Sequence, residues 1–127
     1  MHVIRGNSAD PQRANRPIFT GEVHAHTYVD DSIGEHLRLT LVKFSPGGRT
    51  TWHRHAFEQG LIIVEGSGIV ATEEQEYEVG PGDIVIIPAG EKHWHGGTET
   101  TEMAHISITT PGETTVLEPV QRSGGST

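Results

Sequence analysis

The chain has 127 residues, which is enough for one domain with a buried core and too few for two. Its net charge of −8 argues against nucleic acid or an acidic membrane as a partner, because either would need a basic face. The absence of cysteine excludes disulfides, thiolate metal ligands and thiol nucleophiles. No apolar run approaches the about 20 residues of a membrane helix, so a cytoplasmic protein is expected.

Short strands separated by turns are predicted along most of the chain. Residues 1–17 are polar and lack periodicity, which predicts a flexible or loosely docked arm. Period-two or short apolar stretches follow at 18–28, 37–42, 61–64, 69–72, 77–79, 84–87 and 103–109. In the second of these, Leu37, Leu39 and Leu41 form one strongly apolar face. Residues 121–127 predict a disordered tail, which leaves 18–120 as the folded domain.

The strand pattern favours an all-β protein. No segment has helical spacing of its apolar residues over three turns, and the 16 glycines and 7 prolines suit tight turns between short strands. Such a chain forms either an antiparallel barrel or an immunoglobulin-like sandwich.

Histidines distinguish these two folds. His53 and His55 are two residues apart, so in a strand both rings point to the same face. Gln59 lies on the inner face of the next apolar run, where its amide needs a partner. His93 follows a second turn, and three imidazoles with one amide oxygen suit a divalent transition metal.

Two motifs resemble the signatures of the cupin superfamily. The first runs from Gly47 through His53-x-His55 and Gln59 to Gly66, with Gln59 replacing the usual glutamate. The second contains Gly82, Pro88-x-Gly90 and His93, and its usual terminal asparagine is replaced by Gly97. The resemblance implies a single-domain cupin, that is, a double-stranded β-helix or jelly-roll barrel.

A narrower likeness involves residues 88–96, which read PAGEKHWHG, and residues 103–106, which read MAHI. These resemble carboxymuconolactone decarboxylase-like cupins, a group that includes manganese-dependent cupin hydroxynitrile lyases. The resemblance implies metal ligands at His53, His55, Gln59 and His93 and a catalytic base at His105. It makes manganese the first expectation, while iron, nickel, zinc, cobalt and copper also suit the ligands. At 56–58 this chain has AFE where the group often has a threonine-proline-leucine-glycine stretch, which predicts a different pocket rim.

Gln59 has a chemical consequence. A neutral amide leaves the charge of the ion uncompensated, which makes the ion a stronger Lewis acid and weakens its binding to the protein. If a bulge occurred in this strand, the neighbouring Glu58 would be the ligand instead.

The remaining histidines have several possible roles. His105 shares a strand face with Met103 and Ser107, and either face of that strand could be the inner one. An inward His105 beside a cation would be a neutral general base, or else a structural buried histidine. His95, Leu61 and Met103 are predicted to bind substrate. His24 and His26 are expected at the pocket edge or at a dimer interface.

Three functions fit these features. The first is a metal-dependent lyase or decarboxylase that acts on a small oxygenated molecule, with the metal as Lewis acid. The second is a cupin dioxygenase, and the third is a non-catalytic small-molecule-binding cupin. A homodimer paired through the N-terminal residues is also expected.

Overall fold

The computed structural model describes residues 1–121, which form thirteen strands and one 3-10 turn, Gly6–Ser8. The strands are β1 (Gln12–Arg13), β2 (Phe19–Thr20), β3 (Val23–Val29), β4 (Arg38–Phe44), β5 (Arg49–Thr50), β6 (His53–His55), β7 (Gln59–Gly66), β8 (Gly68–Ala71), β9 (Glu76–Val79), β10 (Ile84–Ile87), β11 (Trp94–Gly97), β12 (Met103–Thr109) and β13 (Thr114–Val116). Within residues 1–121, no helix has the length and apolar character needed to cross a membrane.

Two antiparallel sheets enclose the core. One has the strand order β1-β3-β4-β12-β7-β10, the other has the order β2-β5-β11-β8-β9, and β13 pairs separately with β6. The ring of Phe44 on the first sheet lies 6.3 Å from that of Phe19 and 5.9 Å from that of His95, both on the second sheet. The sheets therefore face each other, and the predicted all-β jelly-roll barrel is confirmed.

Alternation along the strands determines which side chains are buried. On β7, Gln59, Leu61 and Ile63 are buried, as their shared face predicts. The core consists of such inward positions from several strands: Val23, Val42, Phe44, Leu61, Ile63, Val70, Val79, Ile87 and Met103. The candidate site thus lies on the same inner face as the hydrophobic core.

The leucine-rich face of β4 is the outer face of its sheet. Val42 pairs with His105 and points inward, whereas Leu41 pairs with Ile106 and is only half-buried. Leu37 lies before the strand and is exposed. The sequence indicates an apolar face here, but the pairing register determines that it faces outward.

The first and last strands of the described residues each pair with one neighbouring strand. Within the predicted arm, β1 pairs with β3, so that Gln12 lies opposite Ala25 and Arg13 opposite His24. Strand β13, for which the polar residues 114–115 gave no signal, pairs with β6. The predicted tail lies outside the described residues, apart from Gln121.

Gly96 allows β11 to approach β5 closely. A Cβ atom at Gly96 would lie 2.5 Å from Arg49 Cβ and 2.6 Å from Gly48 O, which is too near for any side chain. We expect Gly96→Ala to lower the free energy of unfolding by about 2–3 kcal/mol, because the two strands must separate. Urea unfolding checks this, with Gly80→Ala as control, since a Cβ there meets only Gly66 O at 3.9 Å. Equal stability of the two variants would contradict the close approach.

Candidate metal centre

Three imidazoles converge at one end of the inner face. His53 and His55 lie on β6, and His93 forms an isolated antiparallel bridge with His53. One ring nitrogen of each residue lies within 4.8 Å of the others, and all three residues are buried. The structure therefore brings together the three histidines that the motifs predict as ligands.

Hydrogen bonds at Nδ1 fix the orientation of these rings. Thr51 O lies 2.8 Å from His53 Nδ1, and Glu91 O lies 2.8 Å from His93 Nδ1. A carbonyl only accepts, so each Nδ1 carries the proton and each Nε2 keeps its lone pair. His55 Nδ1 contacts Thr114 Oγ1 at 2.8 Å, and His55 Nε2 is buried without a partner. Oriented lone pairs without a protein donor suit a metal ion.

Gln59 completes the set with an oxygen. Its Nε2 donates to Ser107 Oγ at 2.9 Å, which directs Oε1 toward His93 Nε2 at 3.3 Å. Two ligands at right angles on one ion lie about 3 Å apart, given metal–ligand distances of about 2.1 Å. Glu58 is exposed, so the amide and not the neighbouring carboxylate faces the imidazoles. This donor set fits a first-row divalent ion, while manganese remains a prediction.

Burial keeps the rings neutral. Desolvation is the main cause that lowers the pKa of His53 to about 3, and the nearby His93 contributes to the lowering. Desolvation lowers the pKa of His93 to about 4 and also lowers that of His55. Neutral imidazoles are the form that a metal ion binds, so the metal-free chain is ready to bind at neutral pH.

These shifts predict that acid destabilises the metal-free protein. Histidines with a depressed pKa stay neutral in the fold, whereas the unfolded chain takes up protons below about pH 6.5. Stability is then retained above that pH and lost below it, by about 1.4 kcal/mol per pH unit for each histidine. We expect the metal-free chain to unfold near pH 5, since domain stabilities are about 5–15 kcal/mol. Urea unfolding with chelator at pH 7.5, 6 and 5 measures this, and a pH-independent midpoint would contradict it.

A second histidine pair lies directly behind the cluster. His95 extends from β11, stacks on His93 at 5.5 Å between ring centroids, and its Nδ1 lies 2.9 Å from His105 Nε2. Both residues are fully buried, which lowers the pKa of His105 to about 4 and that of His95 well below its ordinary value. His95 is part of strand β11, so the chain there is extended. His105 lies on the inner face of β12.

The hydrogen bond between the pair leaves the other nitrogen of each ring unused. His95 Nε2 and His105 Nδ1 are both buried without a partner. In the neutral pair one of these two nitrogens carries a proton and the other a lone pair, depending on which ring donates the hydrogen bond between them. When His95 Nδ1 donates to His105 Nε2, the lone pair lies on His95 Nε2, in the ring that stacks on His93.

Other predicted site residues lie elsewhere. Leu61 and Met103 are fully buried members of the core cluster, and their role in substrate binding remains a prediction. His24 and His26 pair with Lys43 and Leu41 on the outer face of the six-stranded sheet. The residues that orient the ligands were missed, because a backbone carbonyl or a threonine on an unpredicted strand gives no sequence signal.

A cavity of about 620 Å³ reaches His93 between the edges of the two sheets. Its inner wall includes Val70, Val79 and Ile87, which are apolar. Its lining contains the carboxylates of Glu74, Glu78, Asp83 and Glu91 and no lysine or arginine. A volume of this size suits a small organic molecule, and the charge disfavours an anion.

Comparisons with known proteins agree with this geometry. The family described as "Cupin domain" matches residues 40–109. The chain is 47% identical over 109 residues to an (R)-mandelonitrile lyase of Granulicella tundricola, covering 85% of this chain and 83% of that one. A cupin-like protein of Thermotoga maritima superposes with a TM-score of 0.82 and 33% identity, over 87% and 86% of the chains. An acireductone dioxygenase of Rhodopseudomonas palustris is 41% identical over 46 residues, covering 33% of this chain and 28% of that one.

Proposed function

The chain belongs to the cupin domain family, and from that membership we propose that it is a metal-dependent lyase that cleaves a neutral α-hydroxynitrile. The observation that carries the proposal is the buried His95–His105 pair, with one unpartnered nitrogen on each ring, beside three convergent imidazoles. The 47% identity to a mandelonitrile lyase supports the same reaction type.

The ligands would be His53, His55, Gln59 and His93. A divalent ion held there would supply Lewis-acid stabilisation to an oxygen of the substrate, strengthened by the neutral Gln59. The protein supplies the fixed orientation of the three rings, through Thr51, Glu91 and Thr114, and that of the amide, through Ser107. Such orientation reduces the reorganisation needed when substrate binds.

We assign the proton transfer to the His95–His105 pair, in the tautomer in which His95 Nδ1 donates to His105 Nε2. His95 Nε2 accepts the hydroxyl proton while the carbon–carbon bond to the nitrile breaks, and the electron pair leaves with cyanide. His105 stabilises the resulting imidazolium at His95 by accepting its Nδ1 proton in a hydrogen bond. The proton at His95 Nε2 then passes to cyanide, so an aldehyde and hydrogen cyanide are released and the pair is neutral again.

The lining of the cavity favours an uncharged substrate. An aryl or alkyl group packs against Val70, Val79 and Ile87, while the carboxylates in the lining repel an anion. Decarboxylation starts from a carboxylate, and the lining offers no lysine or arginine to bind one beside the metal centre. This charge pattern favours the lyase over the decarboxylase within the same fold.

A direct test is release of benzaldehyde from mandelonitrile. We expect metal-loaded protein to release it at least about 100-fold faster than chelator-treated protein or an equal concentration of free metal. Mandelate, the matched anion, should compete at least about tenfold more weakly than mandelonitrile binds. A rate no greater than that of free metal would overturn the proposal.

A dioxygenase is the second candidate, because the chain shares 46 residues at 41% identity with an acireductone dioxygenase. Three imidazoles with one oxygen ligand also suit a bidentate enediol substrate. Uptake of oxygen by iron- or nickel-loaded protein with an enediol, without benzaldehyde release from mandelonitrile, would favour this candidate.

A further inference from the structure

The aromatic ring of Phe57 stacks on one of the three clustered imidazoles. Phe57 is half-buried and lies in residues 56–58, which connect β6 to β7. The centroid of its ring is 4.7 Å from that of His55, and the two ring planes are only 17° apart. Phe57 belongs to neither metal-binding motif, so this contact is a property of the connection in this chain.

His55 is the imidazole whose orientation is least fixed by hydrogen bonds. Backbone carbonyls bond to the Nδ1 atoms of His53 and His93. Nδ1 of His55 has instead the hydroxyl oxygen of Thr114 at 2.8 Å, and a hydroxyl rotates and can either donate or accept. Thr114 lies on β13, a strand of 3 exposed residues that pairs with β6 alone among the described strands. The ring of His55 therefore depends more than the others on its packing contacts.

We propose that Phe57 is a positioning residue, which holds His55 in its metal-binding orientation and thereby slows release of the ion. A ring stacked on the imidazole opposes rotation of His55 away from the other two histidines. Aromatic pairs favour one arrangement of their rings by about two- to tenfold beyond the effect of the area that they bury. The inference rests on the metal centre of the proposed function and not on the lyase reaction.

Gly112 allows Phe57 to take this place. A Cβ atom at position 112 would lie 2.7 Å from Cδ2 and 3.3 Å from Cε2 of the Phe57 ring, so only glycine leaves the ring where it stacks on His55. The backbone N–H of Ala56 donates to Glu113 O at 2.9 Å, which ties the connection to the same segment. Phe57 is thus held between a ligand and the chain that leads into β13.

Cobalt binding to the full chain tests the inference, because the visible absorption of Co²⁺ depends on the geometry of its ligands. We expect Phe57→Leu to bind Co²⁺ about tenfold more weakly than wild type, since loss of a group that orients a ligand costs about 10- to 100-fold in affinity. It should also release Co²⁺ faster to a chelator. Phe57→Tyr keeps the stacked ring and should remain within about twofold of wild type. The absorption bands of bound Co²⁺ should shift in Phe57→Leu and not in Phe57→Tyr.

Phe19→Leu is the matched control. It removes a ring of the same size, also half-buried, which packs on Phe44 at 6.3 Å between centroids. This variant should unfold at a lower urea concentration than wild type, because Phe19 packs against the core cluster. Its Co²⁺ affinity should nevertheless stay within about twofold of wild type, since substitutions at separate sites act independently.

Gly112→Ala changes the same contact from the other partner, and it serves alone if Phe57→Leu does not fold. Its methyl group displaces the Phe57 ring, so Co²⁺ binding should weaken about tenfold. In Phe57→Leu the flexible side chain can turn away from position 112. Adding Gly112→Ala to that variant should therefore weaken binding by less than about twofold.

Several outcomes would overturn the inference. Unchanged Co²⁺ affinity and absorption in Phe57→Leu would do so, as would full additivity of Phe57→Leu and Gly112→Ala. Equal weakening by Phe57→Tyr or Phe19→Leu would assign the effect to general loss of packing. A wild-type chain that binds no Co²⁺ would remove the metal centre and the inference together. A chain that retains Co²⁺ through Phe57 but leaves mandelonitrile intact would remove the lyase reaction alone.

Discussion

The His93→Ala variant is expected to lose its metal and, with it, all activity that depends on the metal. His93 contacts both partners that define the centre, since its Nε2 lies 3.3 Å from Gln59 Oε1 and its backbone bridges to His53. Removing one of three nitrogen ligands should lower metal affinity by more than about 100-fold. Elemental analysis of the purified variant measures this directly.

Matched variants separate ligand loss from general damage. His36→Ala removes an imidazole whose side chain is 79% exposed, and it should retain full metal content. Gln59→Glu adds a charged ligand, so we expect at least about tenfold tighter metal binding together with a slower reaction, because the ion becomes less electrophilic. Normal metal content in His93→Ala would remove that residue from the centre.

Variants of the buried pair should lose catalysis while keeping the metal. Replacing His95 by glutamine removes the unpartnered Nε2, and replacing His105 removes the group that orients it. A general base contributes about 10²–10⁴-fold to a rate, so each variant should lower kcat by at least about 100-fold. Mandelonitrile cleavage at saturating substrate, alongside elemental analysis, provides the measurement.

The double variant tests whether the two histidines act together. If they form one unit, His95→Gln/His105→Gln should be no slower than the slower single variant. Multiplication of the two single effects would mean that the residues act separately. A rate in His105→Gln equal to that of wild type would exclude His105 from the mechanism and leave His95 alone.

The sequence predicts the fold well because period-two patterns and glycine-rich turns are local signals. Residues 59–63 alternate as expected, and the turns before β8 and β10 are marked by glycine. Register is not local, however. Nothing in Leu37, Leu39 and Leu41 indicates whether their side faces the core, because that depends on the pairing of β4 with β12.

The candidate site also has parts that the sequence predicts and parts that it does not. His53, His55, Gln59 and His93 could be predicted because each has a fixed place in a motif. The contact between His95 and His105 could not be predicted, because it joins the two sheets across the barrel. The acidic lining of the cavity could not be predicted either, since Glu74, Asp83 and Glu91 come from separate turns.

The burial of the three imidazoles also determines how the centre exchanges protons with its surroundings. The rings of His53 and His93 have pKa values of about 3 and 4, and burial lowers that of His55 as well. At neutral pH these ligands carry no proton that an incoming ion must displace. In calorimetry, the heat of metal uptake by these ligands should therefore be independent of the ionisation enthalpy of the buffer.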